Sequence, residues 1–229
     1  MDTQILLYIL IGILVVVVIG LAGYIFKGRS DSNEALALTG DCPAQSSFLA
    51  NLKWRRAVKH FTPGPVDLDP IKSAITNAPS SFGIQPYKVL TIMDPEVKVH
   101  LREACFDQTQ VTECFALFVF CTIKDVDGRA DEMIKQTGAE AARGMITGYL
   151  SGVDKVAWAA KQAYIALGFA LAAAAELKIA SCPLEGFDKT MLSAMLGLKD
   201  LEPAVLLAVG QYKDETGLYP RFRFNDVIA

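Results

Sequence analysis

The sequence predicts an α+β domain behind a single N-terminal transmembrane helix. Three observations carry this expectation: an uncharged apolar run near the N-terminus, three short strand-like runs, and one long segment that is apolar on nearly all its faces. The helical segments do not alternate regularly with the strand-like runs, which favours α+β over a doubly wound sheet.

The first run is Ile5 to Phe26, without a single charged residue. At 1.5 Å per residue it reaches roughly 33 Å, enough to cross a hydrocarbon core of about 30 Å. A cleaved signal peptide fits less well, because MDTQ offers no positive start and Tyr24, Ile25 and Phe26 spoil a small-residue cleavage site. Lys27 and Arg29 follow the span and no Lys or Arg precedes it, so positive-inside places the remainder in the cytoplasm. The expected organisation is an anchor at 1–26, a polar tether at 27–45 and one globular domain at 46–229.

Within that domain, Tyr87 to Met93, Leu117 to Thr122 and Ala204 to Gly210 read as buried strands. Acidic residues open three short helices: Asp69-Pro70 before Ile71 to Asn77, Asp94-Pro95 before Glu96 to Ala104, and Asp188 before Lys189 to Leu196. The longest helix is expected over Asp154 to Ala180. A helix apolar on nearly all faces must be buried on nearly all faces, so it forms the spine of the core and also meets a second subunit.

Five scattered cysteines (42, 105, 114, 121 and 182) include no CxxC pair and do not cluster with His60 or His100. They read as reduced structural thiols, with no metal site. A net charge of -3 argues against a nucleic-acid partner. G-x-G-x-x-G, G-x-x-x-x-G-K, G-x-S-x-G and H-E-x-x-H are all absent, which leaves four common enzyme readings without support.

What remains is five clusters in a definite order. Arg55-Arg56-Ala57-Val58-Lys59 is basic, and Pro79 to Tyr87 is a loop of small polar residues that runs into a strand. Trp158 to Tyr164 places polar positions on the apolar helix, and Pro183-Leu184-Glu185-Gly186-Phe187 is a tight turn whose Gly can aim N–H groups at one acceptor. Arg221 and Arg223 form a guanidinium pair suited to a phosphate dianion.

In this order the clusters resemble the nitroreductase family, particularly the bacterial oxygen-insensitive NAD(P)H nitroreductases. The most specific parts are R-x-x-x-K-x-F at Arg55 to Phe61, P-S-S-x-x-x-Q-P-[WY] at Pro79 to Tyr87, W-x-x-K-Q-x-Y at Trp158 to Tyr164, and P-x-E-G-F at Pro183 to Phe187.

The resemblance implies a central mixed β-sheet flanked by helices, in a homodimer built on a long central interface helix, with FMN bound between subunits. It implies NADH or NADPH as co-substrate and two-electron, ping-pong reduction of a small-molecule acceptor such as a nitroaromatic or quinone. Arg55, Arg221 and Arg223 would then hold the phosphate and ribityl end, and Lys59 would sit by the flavin N1 and O2 edge. Arg56 and Ala57 would also contact the cofactor. The backbone of Glu185 and Gly186, after Pro183 and Leu184, would face N5. Pro79, Ser80, Ser81, Gly83 and Gln85 would come from the other subunit, with Gln162 on the central helix.

The chain departs from the pattern in places. Arg56-Ala57 stands where relatives have His-Ser, and Asp107 and Gln110 stand where an Asn and a Lys often contact the flavin. A reductive dehalogenase of the same fold is a second reading. The loop it expects, P-S-G-A-H-x-x-P-W, is P-S-S-F-G-I-Q-P-Y here. A non-catalytic, membrane-tethered flavin-binding module is the third.

Overall fold

The computed structural model describes residues 47–212 and 227. The expected membrane span, the tether, Cys42, Arg221 and Arg223 lie outside the described residues. Four strands form one sheet: β1 (Tyr87–Ile92), β2 (Ala116–Ile123), β3 (Ala180–Leu184) and β4 (Leu201–Gly210), in the spatial order β1-β2-β4-β3. All three strand pairs are antiparallel. Among the described residues, parallel pairing is confined to one bridge, Ala57 to Ser181, on the outer edge of β3. Within the described residues that bridge supplies the mixed character of the sheet.

β2 is central, and all of its residues except Ile123 are buried. A strand covered on both faces reads as a continuous apolar run, which is why LFVFCT lacks alternation. One sheet face packs Leu117, Val119, Leu206 and Cys182 against α3 (Pro95–Leu101), α4 (Thr109–Glu113) and α8 (Lys189–Met195). The other packs Phe118, Phe120, Val205 and Leu207 against α2 (Asp69–Thr76) and α7 (Lys155–Glu176). A third cluster joins Ile84 and Trp158 to α5 (Val126–Thr137) and α6 (Arg143–Ser151), which fill the segment between β2 and α7. α1 (Ser47–Trp54) precedes them all.

The acidic helix starts at Asp94 and Asp188 behave as expected, and Asp154 opens α7 in the same way. Asp94, Asp154 and Asp188 each accept from amides of the first turn, satisfying donors that the helix leaves open. Asp69 differs: it lies inside the first turn of α2, where it favours the helix dipole without capping.

The expected helix to Ala180 stops at Glu176, and Ala180–Leu184 is a strand. The cause is a Schellman closure. Ile179 N donates to Ala174 O at 2.8 Å and Lys178 N to Ala175 O at 3.2 Å, with Lys178 in the left-handed region at φ 56°. Ile179 then packs back into the core beside Ala174. Burial of α7 is also one-sided within the chain. Trp158, Ala163, Ala166 and Ala170 face the core, while Val156, Ile165 and Phe169 remain 58%, 39% and 42% exposed.

Candidate active site

The basic cluster is placed by the edge of β3. Ala57 bridges Ser181, and Val58 N donates to Ser181 O at 3.2 Å. This lays Lys59 and Arg55 beside Cys182, whose buried thiol is pushed up by desolvation while Lys59, by charge and hydrogen bond, and Arg55, by charge, pull it down. Arg56 turns the other way. Its guanidinium donates to the carbonyls of Lys53, Trp54 (3.2 Å) and Arg55 (3.1 Å), closing the end of α1 rather than extending to a ligand.

β3 delivers the turn. Pro183 pairs opposite Leu207, and the Leu184 side chain is buried in the core at 3% exposure, so only backbone there can serve a ligand. Beyond them, Phe187 N donates to Glu185 O at 3.0 Å and Asp188 N to Ala104 O at 2.8 Å. Gly186 O accepts from Gln108 Nε2 at 2.6 Å, and Glu185 Oε1 accepts from the Tyr164 hydroxyl at 2.6 Å. The Gly186 amide makes no hydrogen bond among the described residues.

Below the turn, Phe106 and Asp107 are consecutive left-handed residues at φ 53° and 55°. Both are exposed, and Arg102 approaches Asp107 Oδ1 at 3.8 Å while its Nε donates to Asp107 O at 3.1 Å. Gln110 is buried and its amide donates to Gln108 Oε1 at 2.8 Å, which directs it inward rather than toward a ligand.

The small-residue loop is held by its own helix. Ser81 N donates to Gln162 Oε1 at 2.9 Å, and Gln162 Nε2 donates to Trp158 O at 3.2 Å. Ser80 Oγ accepts from Gln85 N at 2.8 Å, and Gln85 Nε2 donates to Thr76 O at 2.8 Å. Phe82, Gly83 and Gln85 all have positive φ, at 55°, 72° and 46°. Pro79 is exposed. Phe82 sets its ring edge-on to Tyr149 of α6 at 5.3 Å.

Within one chain this loop and the β3 turn do not meet. Both hang from α7, but Gln162 and Tyr164 leave the helix about 200° apart around its axis. Gln162 is buried and Tyr164 exposed. The structure therefore brings Arg55, Lys59, Glu185 and Gly186 along one strand, and places Pro79 to Gln85 on the far side of the helix. Two residues of the turn's surroundings were not singled out as site residues: Gln108 and Tyr164. Tyr164 closes the W-x-x-K-Q-x-Y motif, and Gln108 lies between Asp107 and Gln110, yet neither pattern states what the side chain touches.

The sequence profile of the nitroreductase family matches residues 52–211. The chain belongs to the nitroreductase family. It is similar to a Thermus thermophilus protein described as an NADH dehydrogenase, 31% identical over 192 residues that span 79% of this chain and 93% of that one. It is also similar to the major NAD(P)H-flavin oxidoreductase of Aliivibrio fischeri, 30% identical, covering 71% of this chain and 87% of the relative. A nitroreductase family protein from Streptococcus pneumoniae superposes with a TM-score of 0.69 at 26% identity, over 80% of this chain and 98% of the other.

The residues of this family member fit a flavin mononucleotide. Arg55 and Lys59 supply cations at the β3 edge, and the open Gly186 amide supplies a donor at its end. A Cβ on Gly186 would stand 3.3 Å from Gln108 Nε2, so a side chain there would crowd the turn.

Proposed function

We propose that this chain catalyses two-electron, ping-pong transfer from NAD(P)H to a nitroaromatic, quinone or similar small acceptor, as a homodimer tethered to the membrane by residues 5–26. The enzyme is an NAD(P)H-dependent oxidoreductase that uses FMN. The observation that carries the reading is the β3 edge, where Arg55 and Lys59 lie beside Cys182 and the strand ends on the open amide of Gly186.

When bound, FMN supplies the hydride acceptance and donation. Lys59 provides a fixed cation for the pyrimidine edge, where negative charge gathers on reduction. Gly186 would offer its open amide to the flavin ring, and Arg55, Arg221 and Arg223 would hold the phosphate end. The one-sided burial of α7 supports a second copy against Val156, Ile165 and Phe169. That copy would bring its Pro79 to Gln85 loop to this chain's turn.

The test is anaerobic addition of NADH or NADPH to the purified, yellow chain. Rapid bleaching followed by recovery of colour on adding a quinone supports the reading, and a colourless or unbleached protein rejects it. Changing Arg221 and Arg223 to Ala should weaken FMN by powers of ten while sparing riboflavin; equal loss would place the phosphate elsewhere. Resistance of the domain to protease added outside sealed cells, and to carbonate release, tests the anchor and its orientation.

A further inference from the structure

We infer that Gln108, oriented by the buried Gln110, is a positioning residue that fixes the Glu185–Gly186 turn for hydride transfer; the inference rests on the flavin reading above. The argument begins with an amide whose orientation is decided. Gln110 Nε2 donates to Gln108 Oε1 at 2.8 Å, so the oxygen of Gln108 must face Gln110. Its nitrogen is then presented to two carbonyls, Cys105 O at 3.0 Å and Gly186 O at 2.6 Å. Both protons of that nitrogen have acceptors.

The consequence falls on two adjoining peptide planes. The plane that contains Glu185 C=O and Gly186 N–H is set by the bond from Phe187 N to Glu185 O at 3.0 Å. The next plane, which contains Gly186 C=O, is set by Gln108. With both planes fixed, the Gly186 N–H has one direction. Gly186 has no side chain to resist rotation, so without Gln108 the second plane, which also contains the Phe187 N–H, would keep only the bond to Glu185 O.

The backbone beneath is held for this purpose. Phe106 and Asp107, the two residues before Gln108, adopt left-handed conformations at φ 53° and 55°. Such conformations cost on the order of 1 kcal/mol each and persist where the surroundings demand them. Asp107 is pinned by Arg102, and the pair of turns brings Gln108 under Gly186. Gln110, at the position where relatives carry a Lys, thus acts inside the protein as the orienter of Gln108.

The experiment uses the full-length chain in Gln108→Leu, Gln108→Glu and Gln110→Leu forms. In the flavin-free protein, hydrogen exchange of the hydrogen-bonded amides of Phe187 and Asp188 should accelerate by about tenfold or more in Q108L, and less in Q110L. In the FMN-loaded protein, reduction by NADH should slow by about tenfold with FMN affinity changed by less than about threefold, and the double variant should be no slower than Q108L. Q108E keeps the side-chain length but sets an oxygen against Gly186 O; it should match or exceed Q108L, and it stands in if Q108L does not fold. Unchanged exchange together with an unchanged reduction rate overturns the inference. A wild-type protein that NADH fails to reduce, with exchange still accelerated in Q108L, rejects the flavin reading and leaves the clamp standing.

Discussion

Tyr164 and Glu185 are joined by a 2.6 Å hydrogen bond in which the phenol of α7 donates to the carboxylate beside the β3 turn. It links the helix with the exposed apolar face to the turn that carries Gly186. Burial, and then the hydrogen bond and charge of Glu185, push the Tyr164 phenol up to about 12. A raised folded value means the phenol stays a donor through the working range. Its contribution is complete below about pH 10 and fades as pH rises through about 12. Ultraviolet titration at about pH 10.5 should therefore find the same number of tyrosinates in the wild type and in Tyr164→Phe. One extra tyrosinate in the wild type would mean that the bond is not made.

The buried thiols make a second prediction. Cys105, Cys114 and Cys121 are at most 1% exposed, and burial pushes them up to about 11, 11 and 12. At pH 8 a thiol reagent should leave all three unlabelled until the chain unfolds. Because the folded values lie above the unfolded ones, the stability they contribute is present below about pH 9 and is lost as pH climbs toward 11 and 12. The melting temperature should fall above pH 9, and replacing Cys121 with Ser should flatten that fall. A flat profile in the wild type would contradict the assignment.

Gln162 holds the Ser81 loop, so Gln162→Leu should cost about 1–3 kcal/mol, the penalty for leaving a part-buried amide unpaired. Gln162→Glu keeps the acceptor oxygen and should recover part of the loss. Chemical denaturation measures the first effect, and hydrogen exchange at residues 80–85 locates it. Loss of stability with unchanged exchange in the loop would assign Gln162 to packing alone.

Two glycines should respond to alanine in opposite directions. A Cβ on Gly210 would stand 2.9 Å from Phe61 Cδ1 and 3.0 Å from the backbone nitrogen of Phe115. Gly210→Ala should destabilise by about 1–3 kcal/mol through overpacking. Gly148 lies inside α6 with nothing within 4 Å of the added atom. Gly148→Ala should stabilise by about 0.5–1 kcal/mol, since Gly pays more backbone entropy in a helix. Thermal melts of the two variants decide both signs.

β2 and most of β4 are buried on both faces and so write apolar runs, whereas β1, largely half-buried or exposed, shows itself through its aromatic and β-branched residues. β3 was hidden. Ala180–Leu184 carries a Ser and a Pro, and it follows an apolar helix without an evident stop. The stop is Lys178 in a left-handed conformation, where Gly or Asn is the usual choice. At the candidate site, residue type singles out segments but not where each side chain points. Arg56 closes α1, Gln110 serves Gln108, and Gln162 holds Ser81. Gln108 and Gly186 are 78 positions apart, and no local pattern in a single sequence encodes a contact of that range.

The bridge between Ala57 and Ser181 joins residues separated by 124 positions. The positions of Arg55 and Lys59 depend on that closure, and β3, to which they dock, must itself pair with β4, the final strand of the described fold. Contacts of such separation form late, because the chain between them must be ordered first. During synthesis the cationic edge therefore has no fixed geometry until residues 201–210 have emerged. A chain truncated before β4 would carry its basic cluster with no strand edge to dock it.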